Sequence, residues 1–212
     1  MGDTVASRAK LARGAAELGV ELDESAQHAL LSYLALLKRW NKVYNLTAIK
    51  GDANMLTRHV LDSLSVVTKL QGSRAIDIGT GAGLPGIPIA IANPHMQVTL
   101  LDSNAKRCRF LRQVQAQLKL NNISIVQMRV EEYQPAEKFD NLLSRAFSSL
   151  QSFISSSAHL LAEGGQAIAM KGVWPGDEKE QLTNGFKIDE VVKLMIPGLP
   201  EQRHLVICKK VK

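Results

Sequence analysis

The chain has 212 residues, 45% of them apolar, which suffices for a buried core and fits one domain with a small extension. Its 26 Lys and Arg against 20 Asp and Glu leave a net charge of +6, which suggests an anionic partner, nucleic acid before membrane. Two cysteines exclude a disulfide framework and a CxxC metal pair, and no apolar run reaches the roughly 20 residues of a membrane-spanning helix.

The opening "MGDTVASRAK" lacks the apolar centre of a signal peptide, so a cytoplasmic protein is expected. The first 70 residues read as helical. Asp23 is a plausible N-cap, and Leu30, Tyr33, Leu34 and Leu37 then recur at helical spacing until "VYNLTAIKGD" breaks the pattern. A second helical stretch, "ANMLTRHVLDSLSVVTKL", stops at "QGS".

From Arg74 the pattern changes to strands alternating with helices. "RAIDIG" is a strand apolar enough to be covered on both faces, followed by a glycine turn and the helical "IPIAIA". "QVTLLDS", "ISIVQMRV", "FDNLLSRAF" and "QAIAMKG" are further strands. Between them lie the amphipathic "AKRCRFLRQVQAQLKL" and a helix "SFISSSAHLLAEGG" stopped by its glycines. Alternation of this kind predicts a parallel sheet with right-handed crossovers. "IDEVVKLMI" and "RHLVICKKV" are joined by a linker too short for a crossover helix, so they are expected to pair antiparallel.

In such a sheet the ligand sits beyond the carboxyl ends of the strands, where strand order reverses, which points to the first strand and its glycine turn. The glycines Gly79, Gly81, Gly83 and Gly86 allow two readings. From Gly81, "GAGLPG" fits GxGxxG, a dinucleotide turn. From Gly79, "DIGTGAG" is an acid, an apolar residue and GxGxG. The second register is favoured because the turn then starts where the strand ends. Pro85 and Pro88 also remove amides a pyrophosphate would need, and Asp77 would repel it. A cationic ligand without phosphate, such as S-adenosylmethionine, suits that acid. Asp102 closes the second strand, roughly 20 residues on, where a carboxylate accepts from ribose hydroxyls.

These features resemble the first motifs of class I methyltransferases. The longer strings "NLTAI", "DIGTGAGLPGIPIAI", "LLDSNAKRCRFL", "RVEEY", "SRAFSSL" and "EQRHLV" make the chain similar to the RsmG family, also called GidB, over nearly its whole length. The resemblance implies a Rossmann-like α/β fold, with a mostly parallel seven-stranded sheet, an antiparallel C-terminal hairpin and an N-terminal helical extension. Residues 1–72 would form the extension and 73–212 the methyltransferase domain, packed as one unit. It implies transfer of a methyl from S-adenosylmethionine to N7 of guanine 527 in 16S rRNA, with the rRNA or the small subunit as partner and no metal. The family's cofactor contacts would fall on Gly79, Leu84, Val130, Glu131 and Arg145, beside Gly81 and Gly83 of the turn.

Guanine N7 carries a lone pair and no proton, so neither a general base nor a covalent intermediate is required. Cys108 and Cys208 are read as packing residues rather than nucleophiles. Arg145 and Lys171, each ending a strand, are the donors expected to hold guanine O6 or a phosphate. Lys106, Arg107, Arg109 and Arg112 are read as a solvated helix face, Trp40 and Tyr44 as helix packing, and His59 as a buried, hydrogen-bonded histidine. Arg58, Arg203 and His204 are further candidates for RNA contact, and a monomer is the default. The competing readings are a methyltransferase acting on a small molecule or protein, an oxidoreductase using "GAGLPG", and an rRNA-binding factor without turnover.

Overall fold

The computed structural model describes residues 4–49, 51–145, 147, 149–173, 182 and 185–211. Two helices open the chain, α1 (Val5–Glu17) and α2 (Glu24–Tyr44). Asp23 caps α2 by accepting the Ala26 amide at 2.6 Å, and Asn45 ends it in the left-handed region. One turn before that end, the Asn41 amide clasps Thr47, donating to its carbonyl at 2.9 Å and accepting its N–H at 2.8 Å. The second helical stretch is broken into α3 (Asp52–Met55), a π-helical segment (Leu56–Leu61) and α4 (Asp62–Leu64).

A seven-stranded sheet follows: β1 (Arg74–Ile78), β2 (Gln97–Leu101), β3 (Ile123–Val126), β4 (Phe139–Ser144), β5 (Leu161–Lys171), β6 (Phe186–Leu194) and β7 (Arg203–Lys210). The strand order is β3-β2-β1-β4-β5-β7-β6. The first five strands run parallel, whereas β7 lies antiparallel to both β5 and β6, as the short linker required. Strand order therefore reverses between β1 and β4. Helices α5 (Gly86–Ala92), α6 (Ala105–Leu118) and α7 (Leu150–Ser157) cover the sheet.

One boundary differs from the sequence reading. The helix expected to run to Gly165 ends at Ser157, and a short 3-10 turn (Ala158–Leu160) leads into β5, which already contains both glycines. Between Leu161, opposite Phe139, and Gln166, opposite Asn141, β5 carries extra residues, and Gly164 there has φ +73°. The glycines accommodate a bulge inside the strand rather than stopping a helix.

The helical extension shares the sheet's core. Leu11, Leu30, Leu37 and Leu61 belong to one buried apolar cluster with Ile87, Leu100 and Phe110. Trp40 stacks on Tyr44 at 5.1 Å and tilts against Phe110 of α6 at 5.5 Å, so this aromatic pair is packing, as its spacing suggested.

Candidate functional site

The turn after β1 is built from residues that only glycine serves well: Gly79, Gly81 and Gly83 have φ of +69°, +60° and +91°. Most of its amides are already bonded. Gly79 and Thr80 donate to Leu101 O, Gly83 and Leu84 to Thr80 O, and Ile87 to Gly83 O. Gly81 donates to Asp102 Oδ2 at 2.9 Å, and Gly86 to Asp77 Oδ2 at 2.8 Å. A turn that grips a pyrophosphate needs those groups facing outward. Here they bond within the turn and to the ends of β1 and β2.

Asp77 is 0% exposed and lies beneath the turn, where Thr80 Oγ1 donates to it at 2.6 Å. Burial pushes its carboxyl up to about 6 despite those two bonds. It is not among the residues lining the adjacent cavity. Leu84 is likewise buried in the apolar core, and Gly86 admits no side chain because a Cβ would meet Leu100 Cδ2 at 2.3 Å.

The cavity beyond the ends of β1 and β2 is about 210 Å³. Gly79, Asp102, Val130 and Glu131 line it together, with Ile78, Leu101, Met128, Arg129, Phe147 and Arg107. Asp102 is 4% exposed and accepts three hydrogen bonds: Oδ1 takes the Asn104 amide at 2.9 Å, and Oδ2 takes Gly81 N–H at 2.9 Å and Arg107 Nη1 at 3.1 Å, which leaves an acceptor position on Oδ1. Arg107 stays exposed on the solvated helix face and also lines the pocket. Its spacing of five from the strand-end acid was the available signal. Apolar walls beside two carboxylates fit the chemistry of an aminonucleoside.

The second group of residues lies toward β4 and β7. Asp62 is 3% exposed and pairs with Arg145 Nη1 and Arg203 Nε, each at 3.2 Å. Burial raises its carboxyl, opposed by the two guanidinium charges. Arg58 pairs with Glu201 next to them. His59, 2% exposed, shares a 3.0 Å hydrogen bond with Thr47 Oγ1, and burial with nearby Arg145 lowers its imidazole to about 4. It is therefore neutral. Arg145, expected at the cofactor, is thus held on the side of the helical extension. Lys171 ends β5, two strands from β1, opposite His204 in register. His204 Nδ1 donates to Gly172 O at 2.8 Å. A larger cavity, about 730 Å³, opens at the end of α2 between Lys38, Asn41, Thr47 and Met55.

Both cysteines are buried, Cys108 with its thiol against Asp102 O at 3.3 Å. Burial raises both thiols, that of Cys208 to about 12. Neither is a nucleophile. No helix among the described residues is long and apolar enough to cross a membrane.

Comparison with known proteins agrees with this fold. Among solved structures, the glycopeptide N-methyltransferase MtfA complexed with S-adenosylmethionine superposes with a TM-score of 0.60 at 11% identity, covering 73% of this chain and 88% of that one. A ribosomal protein L11 methylase from Lactobacillus delbrueckii subsp. bulgaricus gives 0.56 at 19% identity, covering 76% and 81%. Both show the fold alone. A ribosomal RNA small subunit methyltransferase G from Chromobacterium violaceum is 51% identical over 199 residues, 93% of this chain and 95% of that protein. One of the same name from Nitrosococcus oceani is 50% identical over 196 residues, 92% of each. The family model described as rRNA small subunit methyltransferase G matches residues 26–206, and the chain belongs to that family, GidB.

Proposed function

We propose that this protein transfers a methyl group from S-adenosylmethionine to N7 of a guanine in small-subunit ribosomal RNA, at the position 16S numbering calls 527. The observation that carries the reading is the self-bonded glycine turn over buried Asp77, opening on a cavity with carboxylates at Asp102 and Glu131. That arrangement suits a cationic aminonucleoside and disfavours a phosphate-bearing coenzyme, which sets aside the oxidoreductase alternative.

When bound, the cofactor supplies an electrophilic methyl on a sulfonium. The chain's own residues orient and exclude water. Asp102 and Glu131 accept from the nucleoside's hydroxyls, and Gly79 lets the backbone approach closely. Arg145, just past β4, and Lys171, ending β5, stand at carboxyl strand ends on the β4 side of the turn, and guanidinium and ammonium donors are suited to guanine O6 or phosphate. They leave N7 itself unbonded, since a donor there would occupy the lone pair that must attack. With the buried thiols out of play and His59 held neutral, positioning supplies the catalysis.

The test is methylation of small-subunit RNA with labelled cofactor, followed by mapping of the methyl group. Incorporation at that guanine N7 is expected, with RNA affinity falling steeply as salt rises. Incorporation into a protein or small molecule instead would favour the rival substrate class.

A further inference from the structure

Asp62 is where three distant segments of the chain meet. It follows the π-helical segment of the extension, and its two carboxylate oxygens are divided between Arg203 at the start of β7 and Arg145 just past β4. Arg145 Nη1 also donates to Arg58 O at 3.4 Å, and Arg203 Nη1 to Gln202 O at 2.9 Å. Charge balance for one buried carboxylate needs one guanidinium. Here there are two, and because Arg58 is matched by Glu201 the group keeps an excess positive charge. Each guanidinium also has N–H donors beyond these bonds, in the planar fork that fits a phosphate. Both arginines stand at the carboxyl edge of β4 and the facing end of β7, on the β4 side of the turn that follows β1.

We propose that Asp62 is a positioning residue that fixes Arg145 and Arg203 as a paired site for a phosphodiester of the acceptor RNA strand. The inference rests on the RNA reading above. A buried carboxylate between the two guanidiniums sets their separation in advance, so the strand meets donors already ordered. It also explains why the helical extension is fastened to the sheet at this edge.

The test compares wild type, Asp62→Asn, Arg203→Gln and the double variant. RNA binding is measured with a small-subunit rRNA fragment across a salt series, and S-adenosylhomocysteine binding by calorimetry. Asp62→Asn is expected to keep its nucleoside affinity and to lose at least about tenfold in RNA affinity. Its slope of log affinity against log salt should be shallower by about 1, for the one phosphate no longer neutralised. The double variant should bind RNA no more weakly than the weaker single variant, because both substitutions break one device. An unchanged slope in Asp62→Asn, or additive losses in the double variant, overturns the proposal. Should Asp62→Asn fail to fold, an unchanged slope in Arg203→Gln does the same. If wild type binds the nucleoside but neither binds nor methylates rRNA, the RNA reading itself falls, and this inference with it. Wild-type methylation beside an unaffected Asp62→Asn defeats this inference alone.

Discussion

Tyr33 on α2 donates its hydroxyl to the carbonyl of Ala82 in the glycine turn, 2.8 Å away and 49 residues further along the chain. The extension thereby grips the cofactor loop from behind. Burial raises the Tyr33 phenol well above its ordinary range, so it stays a donor. Tyr33→Phe leaves a buried carbonyl unpaired and is expected to cost ~1–2 kcal/mol of stability. S-adenosylhomocysteine affinity should fall several-fold as the turn loosens. Denaturant midpoints and calorimetry read the two effects, and wild-type values in both would show that the bond contributes nothing.

The glycines of the turn differ in what a methyl group would meet. At Gly83 a Cβ would lie 2.4 Å from Ile87 Cγ1 and 3.0 Å from Leu111 Cδ2, at φ +91°. At Gly81 the nearest atom is Gly79 O at 3.9 Å, and only the positive φ of +60° is unfavourable. Gly81→Ala should therefore cost ~1 kcal/mol and Gly83→Ala ~3 kcal/mol, strain and overpacking together. Equal losses in thermal unfolding would mean the turn relaxes around either side chain.

Asp77 and His59 make stability depend on pH in opposite senses. Between pH 4 and 6 the folded chain keeps a proton on Asp77 that the unfolded chain has lost, so stability from this group declines as pH rises through that window. Between pH 6.5 and 4 the unfolded chain gains a proton on His59 that the folded chain refuses, so stability declines as pH drops. Each effect is worth ~3 kcal/mol at full extent. The advantage of wild type over Asp77→Asn should grow from pH 7.5 to 4.5, and its advantage over His59→Gln should shrink. A pH-independent difference in urea midpoints would remove the residue in question from this account.

Lys171→Ala is expected to lower the methylation rate on rRNA at least tenfold while leaving S-adenosylhomocysteine affinity close to wild type. That split places the lysine on the acceptor side, and an unchanged rate would exclude it from the site.

Much of this fold was legible because local patterns carried it. The apolar strand before Gly79, the acid closing β2 and the short linker before β7 each specify their own structure. The end of the helix before β5 was misplaced because a Gly-Gly pair ends helices and makes bulges with equal ease, and only pairing with β4 decides between them. In the site, Gly79 and Asp102 followed from the turn and the strand end, whereas Val130 and Glu131 came from the family resemblance; all four line the cavity. Asp62 did not, since its partners lie 83 and 141 residues away, and an acid in an amphipathic stretch reads as surface. Nor did the burial of Asp77, because a strand-end carboxylate can face a ligand or turn under its own loop, and the Thr80 and Gly86 bonds settle that only in three dimensions.

Sealing of Cys108 and Cys208 in the interior has a practical consequence for following motion in this molecule. The chain holds no other thiol, and these two stay protonated and out of reach, so maleimide reagents will pass them by under native conditions. Cysteines placed at Val43 and Met195, which are 72% and 82% exposed, can then carry a fluorophore pair without prior removal of the natural ones. Such a pair would report whether the helical extension shifts against the terminal hairpin when RNA arrives.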